Sequence, residues 1–214
     1  MHMKTNLFRI IKLGGSLLTR SDWPSNLITW VEKQVPMRNI FLVGGGLPAD
    51  AVRAFDKAHQ LRPSISHTLA IEALGLSLRM AEAVLPHADI ITSLDDLATE
   101  SKSDQIELLD VRPFLSSVES SKPGERLPHD WSATSDSIAA RIASVYGAAE
   151  LVLLKSTLPA HCNDWENAAQ SGLVDEHFPY AVKKVSNAYC VNLTDPQAVA
   201  WRPSTEQKVQ PCDG

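Results

Sequence analysis

Cysteine is scarce in this chain of 214 residues, which has only Cys162, Cys190 and Cys212. Cysteines so far apart form neither a disulfide framework nor a paired zinc site, and we expect them to be reduced and structural. The seven histidines are equally scattered, with no His-x-x-x-His pair in a predicted helix. We therefore predict no protein-bound transition metal.

The sequence also lacks long hydrophobic runs and an excess of basic residues. No apolar stretch approaches the roughly 20 residues that cross a bilayer, and the start, MHMKTNLFRI, lacks the apolar core of a signal peptide. The formal net charge is −5, whereas nucleic acids and membrane surfaces select clustered Lys and Arg. We expect a cytoplasmic protein with neither nucleic acid nor membrane as a partner.

Enough apolar material for a core is present, because 44% of the residues are hydrophobic and 21% are charged. Six short apolar runs alternate with helical patterns, at residues 7–13, 39–43, 88–91, 106–109, 150–154 and 188–193. Such runs are typical of strands covered on both faces. The alternation predicts an α/β fold with a mostly parallel sheet, in a single domain over residues 1–214.

Apolar periodicity predicts two helices. The first covers residues 64–85, where one apolar stripe includes Ile65, Leu69, Ala73, Leu76, Met80 and Val84. The second begins at Ser135, and Gly147 is placed to terminate it. The polar stretch at residues 116–130 has no periodicity and predicts a long surface loop or a mobile flap.

Two glycine clusters follow predicted strands, KLGGS at residues 12–16 and VGGGLPAD at residues 43–50. Either is compatible with a tight strand-to-helix turn or with a loop whose backbone N–H groups approach an anion. Neither matches a P-loop or a Rossmann fingerprint. Their pairing at the carboxyl ends of neighbouring strands, with Lys12 just upstream of one, favours phosphate binding.

A third element, WSATSDSIAARI, opens the second predicted helix with Thr134, Ser135 and Asp136. Hydroxyl and carboxylate groups in a first turn are common helix caps. They equally suit the positioning of a cationic lysine over a phosphoryl group. Trp131, just before this turn, is expected to be a core anchor, as are Trp165 and Trp201.

Taken in order, KLGGSLL, VGGG, TSDSIAARIASVYGAAELVLLKS and the late pair Lys183 and Lys184 resemble the amino acid kinase family, from Lys12 to about residue 195. This family includes carbamate, acetylglutamate, aspartate and uridylate kinases. The resemblance implies a three-layer αβα sandwich around a mostly parallel sheet. GGGLPADAVR, SHTLAIEALG and LPHDWSATSDSIAA look most like its short branch of [5-(aminomethyl)furan-3-yl]methyl phosphate kinases, which act in methanofuran biosynthesis.

The resemblance implies phosphoryl transfer from ATP, with Mg²⁺, to a phosphate-type acceptor in one-carbon cofactor biosynthesis. Lys12 and Asp136 are the implied catalytic residues, with Lys12 bridging donor and acceptor phosphates and Asp136 orienting Lys12. The implied nucleotide and phosphate ligands are Gly14, Gly15, Ser16, Thr134, Ser135 and Lys155. The implied acceptor ligands are Gly44, Gly45, Gly46, Asp50 and Arg53.

The resemblance also implies a homodimer or higher homo-oligomer, with the nucleotide side at about residues 130–214 and the acceptor side in the N-terminal part. Alternatives remain for individual residues. Lys155 is otherwise a solvated lysine at a strand end, and Asp50 and Arg53 are otherwise an exposed ion pair. His67 either faces the acceptor or is a histidine satisfied by its neighbours.

One departure from the family pattern bears on function. After LVLLK the family has an Asp-x-x-Gly turn that shapes the nucleoside pocket, but this chain reads STLPAHCND. Pro159 stiffens the turn instead. A noncatalytic nucleotide-binding or anion-binding sensor or assembly protein that retains the kinase fold is therefore the alternative function.

Overall fold

The computed structural model describes residues 7–95, 106–158, 162–195, 197 and 199–204. All six predicted strands are confirmed within it: β1 Phe8–Leu13, β2 Arg38–Val43, β3 Ala88–Ile91, β4 Ile106–Leu109, β5 Glu150–Lys155 and β6 Ala188–Asn192. They form one sheet in the order β3-β4-β2-β1-β5-β6, in which every neighbouring pair is parallel. The predicted α/β fold is therefore confirmed.

The main helices are α1 Trp23–Glu32, α2 Gly46–His59, α3 Pro63–Glu82, α4 Ser135–Tyr146, α5 Trp165–Gln170 and α6 Phe178–Ala181. Alternate residues of the central strands enter two separate cores, one on each face of the sheet. Ile10 packs with Ile142 of α4 on one face, and Ile11 packs with Trp30 of α1 on the other. Both faces are thus covered, which explains the continuous apolarity of the strands.

The first predicted helix is confirmed as α3, and most of its predicted apolar stripe is exposed. Ile65, Leu69, Leu76 and Met80 are between 38% and 56% exposed. The helix buries a narrower set instead, made of Ser66, Ala73, Leu74, Gly75, Ser77, Leu78 and Ala81. Most of these side chains are small, so the helix lies close to its neighbours.

The second predicted helix is confirmed as α4, and Gly147 ends it in the left-handed conformation with φ of 69°. The stretch at residues 116–130 is only partly the surface loop that we predicted. Glu119 of this stretch is buried and forms an ion pair of 3.1 Å with the buried Arg141 of α4. Leu127 also donates its N–H to Glu119, so this segment is fastened to α4 rather than free.

Among the described residues, no helix combines the length and the apolarity needed to span a bilayer. The same residues contain no group of three or more His, Cys, Asp or Glu side chains placed to hold a metal ion. Cys162 and Cys190 are free thiols. Cys212 lies outside the described residues.

Candidate functional site

The two glycine loops touch each other at the carboxyl edge of the sheet, because β1 and β2 are neighbours. A Cβ atom on Gly15 would lie 2.2 Å from the backbone nitrogen of Gly46, and one on Gly44 would lie 2.8 Å from the nitrogen of Gly15. Main chain therefore packs directly on main chain here. Gly15 and Gly44 must be glycine because a Cβ atom would clash with the neighbouring main chain. This contact holds the two glycine loops next to each other at the sheet edge.

Lys12 lies at this point, buried rather than in solvent, with 5% of its surface exposed. Its Nζ is 2.9 Å from Asp136 Oδ1. Lys155 Nζ approaches the same carboxylate, at 3.0 Å from Oδ1 and 2.8 Å from Oδ2, and donates to the carbonyl of Leu173. Lys155 is thus a bound, largely buried lysine rather than a solvated one. We call Lys12, Asp136 and Lys155 the cationic cluster.

The electrostatics of the cationic cluster follow from its burial. Burial by itself raises the pKa of Asp136, but Lys12 and Lys155 outweigh it and lower that pKa to about 2. Burial lowers the pKa of Lys12, and the contact with Asp136 opposes this shift. One carboxylate thus faces two ammonium groups, and the charged cluster has a surplus positive charge that suits a phosphate.

The start of α4, which places Asp136, is held by a residue that the sequence reasoning missed. Thr134 donates its N–H and its hydroxyl to Asp175 Oδ2 at 2.8 and 2.9 Å, and Ser137 donates its N–H to the same atom at 3.0 Å. The hydroxyl of Ser137 donates to Asp175 Oδ1. Thr134 makes no side-chain cap of its own. Asp175 therefore caps α4 from a distant loop.

A cavity of about 300 Å³ lies beside the cationic cluster. We call it the lysine cavity; it is lined by Lys12, Gly14, Gly15, Ser16, Lys155, Ser156, Thr157, Leu158, Ser171, Gly172 and Leu173. The hydroxyls of Ser16 and Ser156, both in its wall, form a hydrogen bond of 3.0 Å with each other. Ammonium groups, hydroxyls and bare backbone are donors that fit an anion.

A second cavity, of about 440 Å³, lies between α2, α3 and residues 130–138. We call it the helix cavity, and it shares Gly15 and Ser16 with the lysine cavity. Of the predicted site residues it also contains Gly45, Gly46, Asp50, Arg53, Thr134 and Ser135. Thr134 and Ser135 therefore line this cavity together with the predicted acceptor ligands. Gly44 lies behind the loop, against Lys12.

Asp50 and Arg53 form the exposed pair that was one of their two interpretations, with 2.8 Å between Nη1 and Oδ1. They also line the helix cavity, so the pairing does not remove them from the site. The Arg53 guanidinium lies 4.6 Å from the centroid of the Trp131 ring. The expectation of a core anchor is wrong for Trp131, which forms part of the cavity wall. Trp165 and Trp201, by contrast, pack edge to face at 4.8 Å.

His67 also lines the helix cavity. Its ring stacks on that of His129, with centroids 4.5 Å apart and planes 8° from parallel. Burial lowers the pKa of His67, the neighbouring His129 lowers it further, and Asp130 opposes the shift. A neutral, stacked ring is therefore the favoured form in the folded protein.

Solved structures of two kinases have a similar architecture. Uridylate kinase from Archaeoglobus fulgidus superposes with a TM-score of 0.56 and 14% identity, over 86% of this chain and 89% of that one. Aspartate kinase from Synechocystis gives 0.56 and 11%, over 87% of this chain and 38% of that one. No family model matches the sequence. The chain therefore shares the fold of these two kinases, as the resemblance to the amino acid kinase family implies.

A curated relative adds a comparison in sequence. The [5-(aminomethyl)furan-3-yl]methyl phosphate kinase of Methanocaldococcus jannaschii is 28% identical over 204 residues. The alignment covers 89% of this chain and 90% of the relative. The similarity therefore spans most of both chains.

Proposed function

We propose that this protein is a cytoplasmic, ATP-dependent small-molecule kinase that transfers the γ-phosphoryl group to a phosphate-type acceptor. We assign it to methanofuran- or methanopterin-type one-carbon cofactor biosynthesis, by its similarity to the Methanocaldococcus phosphate kinase. The observation that carries the proposal is the buried cationic cluster, whose two lysines line the lysine cavity beside Gly15 and Ser16, the residues that both cavities share. A reaction that joins two phosphates needs positive charge at this kind of junction.

In the proposed reaction, Lys12 neutralises charge on the phosphoryl group as it moves from donor to acceptor. Phosphoryl transfer needs mainly in-line positioning and charge compensation, because little covalent chemistry is left to the protein. Asp136 holds the ammonium group of Lys12 by the 2.9 Å contact. With a pKa of about 2 it stays ionised and takes no proton. Gly15 and Ser16 would donate to the transferring group, whereas the predicted role of Gly14 as a donor is not supported, because its N–H already donates to the carbonyl of Leu154 at 2.8 Å.

We place the nucleotide in the lysine cavity, where Lys155 and the hydroxyls of Ser16 and Ser156 would meet its phosphates. Magnesium would be bound mainly through these phosphates and water, as is usual for nucleoside triphosphates. We place the acceptor in the helix cavity. Gly45 and Gly46 open α2 there, so backbone N–H groups and the positive end of the helix face a bound anion.

The test is a transfer assay with ATP, Mg²⁺ and [5-(aminomethyl)furan-3-yl]methyl phosphate, comparing the native protein with Lys12→Ala. We expect Lys12→Ala to lower kcat by about 10²- to 10³-fold, the usual effect of removing a group that stabilises transition-state charge. Lys33→Ala, at an exposed lysine beyond the end of α1, is the matched control and should transfer normally. Transfer that survives the loss of Lys12 would refute the mechanism.

A noncatalytic sensor remains the second candidate, favoured by the sequence after β5. Ser156, Thr157 and Leu158 line the lysine cavity where the family pattern has its Asp-x-x-Gly turn. In the same assay, ATP binding without transfer to the acceptor would support a sensor. The retained cluster argues against a pocket that has lost its ligand, because two buried ammonium groups are costly to desolvate. The transfer step of the assay then separates a kinase from a sensor.

We also propose a homodimer that buries the exposed stripe of α3. Leu76 lies near the middle of the helix and is 56% exposed. Glu72 and Arg79 lie on either side of it, so an antiparallel copy would place opposite charges together. Leu76→Glu should convert the dimer to a monomer, as measured by light scattering of the eluting protein. A native protein that is already monomeric would exclude this interface.

A further inference from the structure

The helix cavity contains three carboxylates, of Asp50, Asp56 and Asp130, and their surroundings differ. Asp50 is exposed and its charge is met by Arg53 at 2.8 Å. Asp130 is also exposed; it accepts hydrogen bonds from the N–H and the hydroxyl of Ser132. Asp56 is only partly exposed, and it is the carboxylate that the site described so far leaves without a role.

The Asp56 carboxylate is fixed by neutral donors. Oδ2 accepts from the hydroxyl of Ser66 at 2.5 Å and from the indole N–H of Trp131 at 2.8 Å. Oδ1 accepts from the backbone N–H of Leu61 at 3.2 Å. In the described part of the chain no cation pairs with it. The hydrogen bonds of Ser66 and Trp131 lower the pKa of Asp56, so a fixed negative charge faces the cavity.

The position of Asp56 defines the far end of the helix cavity. It lies ten residues after Gly46 in α2, a rise of about 15 Å along the helix axis. On α3, Leu74 packs at the glycine end, near Gly45, and Ser66 packs at the Asp56 end. The wall between the two ends is mainly apolar and includes Leu61, Ala70, Ile71, Leu74 and Ile138.

This arrangement has an anion-binding end, an apolar middle and a negatively charged end. A ligand that matches it carries a phosphate at one end, a flat apolar body and a cationic group at the other. The phosphate must lie at the glycine loops, because the cationic cluster is there. The cationic end then lies away from Lys12 and Lys155, where it escapes their repulsion.

We propose that Asp56 binds the cationic group of the acceptor, so that the kinase selects phosphates bearing a primary ammonium on a small ring. This inference rests on the proposed function, which places the acceptor in the helix cavity. Trp131 and Ser66 act as positioning residues that aim the carboxylate. The Asp50–Arg53 pair then remains at the cavity wall with its charge already balanced.

The test measures equilibrium binding by calorimetry, without nucleotide, for two phosphates. One is [5-(aminomethyl)furan-3-yl]methyl phosphate, and the other has a hydroxymethyl in place of the aminomethyl group. We expect the native protein to prefer the amine by about 10- to 100-fold, the usual range for hydrogen bonds to charged groups. Asp56→Asn should reduce this preference to within about threefold, while the exposed, remote Glu32→Gln should keep it.

Asn keeps the shape of Asp and one oxygen acceptor, and a thermal unfolding curve checks that the variant folds. If Asp56→Asn does not fold, Trp131→Phe tests the proposal instead. This variant removes one hydrogen-bond donor to Asp56 and should lower the preference for the amine several-fold. Equal binding of both phosphates by the native protein overturns the proposal, as does binding of neither. A preference lost in Asp50→Asn but kept in Asp56→Asn overturns it in favour of Asp50.

The same samples, supplied with ATP and Mg²⁺, separate this proposal from the proposed function. Preferential binding of the amine without phosphoryl transfer refutes the kinase and leaves the role of Asp56 standing. Transfer with no preference between the two phosphates refutes the role of Asp56 and leaves the kinase standing. The two failures therefore give different results.

Discussion

The two cavities that share Gly15 and Ser16 differ in how their charged side chains are arranged. The lysine cavity has charges that are buried and paired with one another, so the site is formed before any ligand arrives. The helix cavity has an apolar middle with carboxylates at its wall, one of which, Asp50, is already neutralised. Under the proposed function, this difference gives the two cavities different roles in the reaction. Charge compensation is preorganised on one side, and recognition of molecular shape and ligand charge is left to the other.

The largest effect that tests this division should come from Asp136→Asn. This change leaves two buried ammonium groups facing a neutral amide, and we expect it to lower the free energy of unfolding by about 3–5 kcal/mol. Denaturation by urea measures the change. Asp50→Asn, which removes an exposed carboxylate in the other cavity, should cost less than about 1 kcal/mol. Equal losses would mean that the two cavities are not organised differently.

A second test adds one methyl group at the point where the cavities join. Gly15→Ala forces a Cβ to within 2.2 Å of the backbone of Gly46, so we expect a loss of about 1–3 kcal/mol of stability. Because both cavities share this loop, KM for ATP and for the acceptor should rise together. Gly147→Ala is the control, since φ there is 69° with nothing within 4 Å. It should cost about 1 kcal/mol without changing either KM.

A third test loosens the start of α4, which carries Asp136. Asp175→Asn weakens the cap of α4 and should cost about 0.5–2 kcal/mol of stability, the usual range for a lost cap. Because Asp136 is in the first turn of that helix, kcat should fall. Thr134, which Asp175 holds, lines the helix cavity, so KM for the acceptor should rise as well. Steady-state kinetics with both substrates measures both changes. A rise in acceptor KM with kcat unchanged would show that Asp175 positions Thr134 but not Asp136.

The smallest effect should be a dependence of stability on pH from His67, whose pKa lies below its usual value of about 6.5 because of burial. A lowered histidine pKa gives stability that is present above pH 6.5 and is lost as the pH falls through the folded value. The groups facing His67 are His129 and Asp130. Since the ring is partly exposed, the effect should stay below about 1 kcal/mol.

Melting temperatures of the native protein and His67→Gln between pH 7.5 and 5 check this expectation. The native protein should lose more stability than the variant over that range. Parallel curves would show that the His67–His129 stack does not respond to protonation.

The sequence was informative wherever a local pattern carries the structural cause. Continuous apolar runs predicted all six strands, because a strand covered on both faces needs apolar side chains at every position. Glycines just after two of these runs predicted that two loops meet at the carboxyl edge of the sheet, next to Lys12. The order of the strands, β3-β4-β2-β1-β5-β6, was not predicted, because no local pattern carries it.

The parts of the candidate site that the sequence did not predict depend on contacts between residues that are distant in the sequence. Asp175 acts on Thr134 across 41 positions, and Trp131 acts on Asp56 across 75. No periodicity records such pairs. The exposure of the apolar stripe on α3 could not be predicted for another reason. Periodicity shows which residues share a face of the helix, but not which face packs inward. Ser77 and Gly75 are buried because their small size lets α3 approach Gly45 and Arg112.

The central position of β1 in the sheet has a consequence for how this protein can change over time. The loop that follows it borders both cavities: residues of β5 line the lysine cavity, and residues of α2, α3 and the start of α4 line the helix cavity. Under the proposed function, substitutions confined to α2 and α3 would retarget the enzyme to a different acceptor and leave the lysines of the cationic cluster in place. A lineage built on this plan can diversify its acceptors without reinventing how it moves phosphate.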